Sequence, residues 1–277
     1  DRRSSLGPLR PRFYQPVTGA STPGIDEHGP QPAQKSGIHP WMRHDANMSN
    51  DPTPVPTGEQ HACGHDDHAE SGVAGTSMHW CDTQAEIHRI VVGDWDNNVF
   101  VLRCRATGEA VLIDAANEHD KLLELCRTLD VRTVLETHGH WDHIGAVPAV
   151  REAGYQVGVT TEDAHMLDAY DYLLEDESVI EVGRLRLHTI KTPGHTPGSI
   201  SFRLEGSPIV FVGDTLFPGG AGATHFEGGD FDTLIQTIDR KFFAALPPET
   251  IVMPGHGSDT LIGNESPHLD EWVARGW

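Results

Sequence analysis

From residue 86 to residue 254 the chain is a succession of short apolar, β-rich runs broken by turns and helical stretches, and that pattern limits the fold more than any other feature. EIHRIVVG (86–93), NNVFVLRC (97–104) and EAVLIDA (109–115) are separated by WD and TG turn signals, which predicts an antiparallel start. In HDKLLELCRTLD (119–130), Leu122, Leu125, Cys126 and Leu129 stand at i, i+3, i+4 and i+7 and make one apolar helical face. The strand VRTVLE (131–136) follows, then a helix near 145–153, a strand YQVGVT (155–160) and a helix beginning near Thr161. SVIEV, RLRLHTI, SISFRLE and PIVFVGD read as further strands up to about 214, before a helix near 230–245, a strand TIVMPG and a last helix near 267–275. Strands outnumber the helices that punctuate them, as expected of an α/β fold in which helices cover sheets.

The composition shifts near residue 85. Upstream, PVTGASTPGIDEHGPQPAQKSG and NDPTPVPTGEQHACGHDDHAESGVAGTS are rich in Pro, Gly, Ser and His and show no period of 3.6 or 2. Residues 1–80 are therefore expected to form a low-complexity, mostly disordered extension, and 81–277 the folded domain. A hydrophobic fraction of 37% with 29 Gly and 19 Pro agrees with a chain that is only partly globular. His61, Cys63, His65, His68, His79 and Cys81 are residue types that bind zinc, but their irregular spacing reads as a solvated polar tail. The chain opens on Asp1, as a processed or truncated product would, and Met48 reads like a natural start, so residues 1–47 are expected to be upstream sequence. Four cysteines without CxxC spacing are too few for a disulfide scaffold, and free thiols are expected.

Charge narrows the partners. The net charge is −21, and from residue 86 onward 14 Lys and Arg face 31 Asp and Glu, a net of −17. Such a field repels nucleic acid and anionic membrane. No window approaches the roughly 18–20 apolar residues of a membrane span, and the first 30 residues carry no apolar signal region. The expectation is a cytoplasmic monomer or homodimer acting on a small molecule, with no nucleic acid or membrane partner. Any anion must be drawn in locally, for instance by a metal.

The densest chemistry lies in ETHGHWDHIGA (136–146), where His138, His140, Asp142 and His143 place four ligand types in six positions directly after a predicted buried strand. Gly139 and Gly145 let the loop turn around a cation. His195 in KTPGHTPGS, Asp214 in VFVGDTLF and His256 in VMPGHGS each follow a β-rich segment and are expected on the same rim. Trp141 is expected to pack or to wall the site, and Thr137, Thr192 and Thr196 to orient imidazoles or bond within loops. Tyr170, Tyr172 and His225 are the candidate substrate contacts.

HxHxDH at 138–143, followed in order by His195, Asp214 and His256, resembles the metallo-β-lactamase superfamily of metallohydrolases over roughly residues 86–277. The resemblance implies an αββα sandwich with metals at one edge of its two sheets. It implies one metal on His138, His140 and His195, a second on Asp142, His143 and His256, and Asp214 bridging them. Two Zn²⁺ ions, or iron in their place, would activate water against a thioester, ester, lactone or lactam carbonyl, with Asp142 steering or taking a proton. TPGHTPGS, GDTLF and GHG resemble the glyoxalase II branch, a hydroxyacylglutathione thioesterase. That branch typically continues into a helical domain and carries a basic residue in the glycine-rich loop, whereas 21 residues follow His256 and GGAGATHFEGG has no Lys or Arg. Persulfide dioxygenases, which hold one iron through two His and one Asp, are the alternative, with His138, His195 and Asp214 as the triad. Lactonases and β-lactamases of the same fold stay open; the charge disfavours tRNA-processing nucleases, and His140 stands where flavodiiron proteins have Glu. A metal-stabilised interaction module is the alternative outside enzymes.

Overall fold

Strands that are apolar at every position need a partner on both faces, and the chain meets that need by stacking two sheets between two layers of helix. A computed structural model describes residues 74–276. They belong to the second of two units into which the chain divides, Pro54–Trp277; the first, Asp1–Thr53, lies outside the described residues. So do Met48, His61, Cys63, His65 and His68, and the expected extension as far as residue 73.

The first sheet opens with β1 (Ser77–Cys81), β2 (Ala85–Val92), β3 (Asn97–Cys104) and β4 (Ala110–Ile113), all antiparallel as expected. Helix α1 (His119–Thr128) then crosses over to β5 (Val131–Leu135), parallel to β4. The short helices α2 (Trp141–Ile144) and α3 (Val147–Glu152) lead to β6 (Gln156–Thr160) and β7 (Tyr172–Leu174), which complete the seven strands in sequential order. The second sheet contains β8 (Val179–Val182), β9 (Leu185–Lys191), β10 (Ile200–Leu204) and β11 (Ile209–Gly213). A small hairpin, β12 (Leu216–Phe217) and β13 (Gly220–Ala221), precedes α4 (Phe231–Thr237), which continues as a π-helical turn over Ile238–Phe243. β14 (Ile251–Pro254), β15 (Thr260–Leu261), α5 (Ile262–Glu265) and α6 (Leu269–Arg275) close the chain, and the sheet order is β15-β14-β11-β10-β9-β8.

Period two explains the layers. On β3, Val99 and Val101 pack toward Leu122, Leu125 and Val150 of α1 and α3, whereas Phe100 and Leu102 pack toward Leu187, Phe202 and Phe211 of the other sheet. On β11, Ile209 and Phe211 fill the space between sheets, and Val210 and Val212 meet Leu234, Ile238, Phe242 and Trp272. Each such side chain gains roughly 1.5–3 kcal/mol from burial, so a one-residue slip would exchange the two cores at great cost. The expected αββα sandwich is present.

Several elements differ from expectation. In place of a helix from Thr161 there is one helical turn, Ala164–Met166, followed by β7. Side chains of this segment are committed elsewhere: the buried Asp163 carboxylate accepts from the backbone of Gly139 and Gly198 and the hydroxyl of Thr196, and Asp171 accepts from Arg151 and from the Val157 amide. The sheet starts at Ser77, inside the stretch read as extension, because β1 pairs with β2 and buries Trp80. Cys104 and Cys126 are free and buried, as expected, but Cys81 is disulfide-bonded; spacing along the chain does not report which sulfurs meet in space. Among the described residues no helix is long and apolar enough to cross a membrane.

Gly194 shows how the second helical layer is seated against the site. Its φ is +135°, and a Cβ there would lie 2.4 Å from Cα and N of Leu234 in α4. We expect Gly194→Ala to cost roughly 2–4 kcal/mol and lower the Tm by about 5–10 °C, followed by circular dichroism. An unchanged melt would contradict this packing.

Candidate metal centre

Each site residue sits at a strand end, on one edge of the sandwich. His138, His140, Asp142 and His143 follow β5, His195 follows β9, Asp214 follows β11 and His256 follows β14. β4 and β5, and β11 and β14, are parallel pairs, so their carboxyl ends deliver loops to the same side. The Gly255 amide donates to the Gly213 carbonyl at 2.8 Å and ties two of these loops together.

The seven expected ligand residues converge. In each of the sets His138/His140/His195, His138/His143/Asp214 and Asp142/His143/His256, the candidate ligand atoms lie within 4.8 Å of one another. His195 Nε2 is 3.2 Å from His138 Nε2 and 2.9 Å from His140 Nδ1. His256 Nε2 is 3.2 Å from His143 Nε2 and 3.3 Å from Asp142 Oδ2. Asp214 stands between the groups, with Oδ2 3.6 Å from both His195 Nε2 and His256 Nε2 and Oδ1 3.4 Å from His143 Nε2.

The outward ring nitrogens determine what the inward ones carry. His195 Nδ1 meets the Ala223 carbonyl at 2.6 Å, His256 Nδ1 the Trp95 carbonyl at 2.8 Å, and His143 Nδ1 the Asp114 carboxylate at 2.8 Å. These partners only accept, so each Nδ1 holds a hydrogen and Nε2 is the nitrogen turned inward, carrying a lone pair whenever the ring is neutral. Thr137 Oγ1 donates to Asp114 Oδ2 at 2.8 Å and accepts from His138 Nδ1 at 3.1 Å, which gives His138 the same tautomer. Inward Nε2 atoms thus face one another across 3.2 Å in two places, and buried Asp214 Oδ1 has no hydrogen-bond partner. Apart from Asn97 Nδ2, which donates to Asp142 Oδ2 at 3.2 Å, the groups that converge here are ring nitrogens and carboxylate oxygens; they fit cations, and this donor set suits zinc or iron.

Electrostatics favour neutral rings at His138, His140 and His195 and a bound positive charge, a proton or a cation, beside Asp214 at His143 and His256. Burial lowers the affinity of His138 for a proton far below the usual value, pushes His140 down to about 4 and lowers His195, with neighbouring imidazoles adding to the effect at His138 and His140. Burial opposes charge on Asp214, yet His256 and His143 beside it hold its carboxyl well below the usual range. Burial also disfavours protonation of His143 and His256, but nearby carboxylates, Asp214 foremost, outweigh it and raise both. Glu136, wholly buried near Asp114, is pushed well above the carboxylate range by burial first and by that like charge second.

Four residues that position the site were not singled out from sequence. Asp114 at φ 63° holds His143 and also accepts the Thr137 amide at 2.7 Å. Its signal was available, since the acid ending EAVLIDA mirrors Asp214 at the end of PIVFVGD. Asn97 donates to Asp142 Oδ2 at 3.2 Å, Asp163 clamps the 138–140 loop to the 195–199 loop, and the Trp95 carbonyl sets His256; nothing local marks these.

The candidate substrate contacts separate. His225 is exposed and stacks on Phe226 at 4.1 Å between ring centroids, and Phe226 lies edge-on to His140 at 5.2 Å. Tyr170 is solvent-exposed. Tyr172 is corrected to a sheet residue: its hydroxyl bonds Thr133 Oγ1 at 2.7 Å, its ring covers Gly158, and burial pushes the phenol up to about 12. Trp141 is 59% exposed and meets Trp95 edge-on, so it lies at the surface rather than packing inside. Thr192 bonds Ser201 and Thr215, and Thr196 bonds Asp163, so both act within the loops.

Known proteins share this architecture. A sequence model of the metallo-beta-lactamase superfamily matches residues 92–256. The probable metallo-hydrolase YqgX of Bacillus subtilis is 31% identical over 198 residues, 64% of this chain and 92% of that protein. The hydroxyacylglutathione hydrolase GloC of Haemophilus influenzae is 31% identical over 180 residues, 56% of this chain and 84% of that protein. Among solved structures, BLEG-1 B3 metallo-beta-lactamase has a TM-score of 0.62 at 32% identity, covering 68% of this chain and 99% of that one. ETHE1 from Myxococcus xanthus has a TM-score of 0.61 at 31% identity, covering 68% and 84%. TTHA1623 in a di-iron-bound form has a TM-score of 0.58 at 29% identity, covering 64% and 96%. With its four layers, its ordered His and Asp series and a family match over most of its described length, the chain belongs to the metallo-beta-lactamase superfamily of metal-dependent hydrolases.

Proposed function

We propose that this chain is a binuclear metallohydrolase that cleaves thioesters, in the manner of the hydroxyacylglutathione hydrolases it resembles. The observation that carries this reading is Asp214, whose two oxygens face His195 of one triad and His143 and His256 of the other. His138, His140 and His195 would hold one cation, Asp142, His143 and His256 the second, and Asp214 both. Bound zinc or iron there would polarise a substrate carbonyl and lower the pKa of water toward neutrality. The protein's part is orientation and proton handling. Asn97 fixes the Asp142 carboxylate through Oδ2 and leaves Oδ1 as its second acceptor for a proton from the attacking water. Asp114, Ala223 and Trp95 hold the imidazoles in the tautomer that aims Nε2 inward.

A one-iron dioxygenase built on His138, His195 and Asp214 would leave Asp142, His143 and His256 without a role, although they converge as tightly as the other sets. Elemental mass spectrometry on untagged protein separates the two readings. About two zinc or iron ions per chain, with chelation abolishing thioester hydrolysis while the circular dichroism spectrum persists, is the expected result. His138→Ala and Asp214→Ala are each expected to lower the metal content. About one iron per chain, with oxygen uptake in place of hydrolysis, would overturn the hydrolase.

A further inference from the structure

Aromatic side chains and acidic groups gather where the loops open to solvent. Trp141, at 59% exposure, lies inside the HxHxDH loop and meets Trp95 with ring centroids 5.5 Å apart. Trp95 in turn supplies the carbonyl that holds His256, and Phe217 lies 6.4 Å from the His256 ring. On the other triad, Phe226, at 41% exposure, packs edge-on to His140. Each triad therefore has an apolar wall beside it. Large aromatic surface left in contact with water at a catalytic mouth costs solvation unless a ligand covers it.

The charge of these loops is of one sign. Residues 93–98, 136–146, 192–199, 213–230 and 254–261 contain no Lys or Arg. Exposed Asp94 and Asp96 flank Trp95, and exposed Glu227 follows Phe226. Two nearby cations are engaged: Lys191 is paired with Glu162 at 2.6 Å, and Arg275 donates to the Gly219 carbonyl at 3.4 Å. A carbonyl held at the candidate cation site would place whatever extends from it near aromatic rings bordered by carboxylates.

We propose that this site selects thioesters whose flanking groups are apolar and uncharged or cationic, and discriminates against carboxylate-bearing conjugates such as acylglutathiones, with Trp141 and Phe226 as the specificity-determining contacts. The inference rests on the thioesterase reading above and narrows its substrate. Anionic carboxylates would approach Asp94, Asp96 and Glu227 with no fixed cation to offset the repulsion, whereas an aromatic or aliphatic acyl chain covers the exposed rings.

The test uses the metal-loaded full chain and one acyl group on two thiols. Phenylacetyl-N-acetylcysteamine is neutral, and S-phenylacetylglutathione carries the same thioester with two carboxylates and one ammonium, so it is a net anion. We expect kcat/KM to favour the neutral thioester by about tenfold or more at low ionic strength, and the gap to narrow as salt screens the rim. Trp141→Ala and Phe226→Ala should each raise KM for the neutral substrate about three- to tenfold. The double replacement Asp94→Lys with Glu227→Lys should raise kcat/KM for the glutathione thioester while leaving the neutral one within about twofold. Quenching of tryptophan emission by two thioethers that cannot be hydrolysed, S-benzyl-N-acetylcysteamine and S-benzylglutathione, reads binding independently of turnover. Tighter binding of the neutral thioether is expected. Equal or tighter binding of S-benzylglutathione overturns the inference, whether or not thioesters turn over. Failure to hydrolyse either thioester in the metal-loaded protein overturns the thioesterase reading, and the quenching comparison then still decides the selectivity of the mouth.

Discussion

Asp142→Ala is expected to reduce hydrolytic turnover by about 10²–10⁴-fold and to leave the Tm within about 2 °C of the parent. Asp142 is a part-exposed residue whose carboxylate is held low, against the opposing effect of burial, by His256 and His143. The nearby Asp214 charge works the other way, so removing Asp142 relieves a like-charge repulsion while it forfeits two attractions. The net effect on folding is small for that reason. In the proposed mechanism turnover depends on Asp142 differently, as the proton acceptor, and Asn97 holds its carboxylate at 3.2 Å. Steady-state kinetics beside a thermal melt checks both halves. Near-full turnover would remove Asp142 from the mechanism, and a collapsed melt would make it a structural residue.

The largest combined effect on stability and site is expected at Asp114. Its side chain is 2% exposed and accepts three hydrogen bonds, from the ring of His143 at 2.8 Å, the amide of Thr137 at 2.7 Å and the hydroxyl of Thr137 at 2.8 Å. Asp114→Ala strands these donors in the interior, beside a His143 side chain that is wholly buried. Each stranded donor costs roughly 1–3 kcal/mol, and we expect a total of about 3–5 kcal/mol in urea unfolding. Metal affinity should fall about 10–100-fold, because His143 loses the partner that orients it. Asp114→Asn separates the two consequences. It keeps the volume and tolerates the left-handed backbone at φ 63°, so it should recover part of the stability while metal affinity stays low. If Asp114→Asn binds metal as tightly as the parent, the orienting role fails.

The site and the fold differ in how far local sequence reveals them. Leu122, Leu125 and Cys126 are buried on one face of α1, as their spacing requires, and the continuous apolar run of β3 divides between two cores by simple alternation. The helix expected from Thr161 failed for a nonlocal reason: Asp163 and Asp171 spend their carboxylates on Gly139, Thr196, Gly198, Arg151 and Val157, none of which is near them in sequence. Tyr172 was misplaced for the same reason, because its neighbours are Thr133 and Gly158 on adjacent strands.

The amino-acid order alone determined the candidate ligand types, their HxHxDH spacing and their positions after strands, because a strand end followed by Gly or Pro is a local property of a few residues. It also determined the absence of Lys and Arg from the loops that carry them. Only the tertiary structure decided which ring nitrogen of each histidine faces inward. That choice belongs to Trp95 for His256, 161 residues away, to Ala223 for His195, 28 away, and to Asp114 for His143, 29 away. It likewise brought Trp95 to Trp141 and Phe226 to His140. Hydrogen-bond partners and ring contacts depend on which strands pair and in what register, and pairing is settled by burial summed over whole sheets, which no short segment contains.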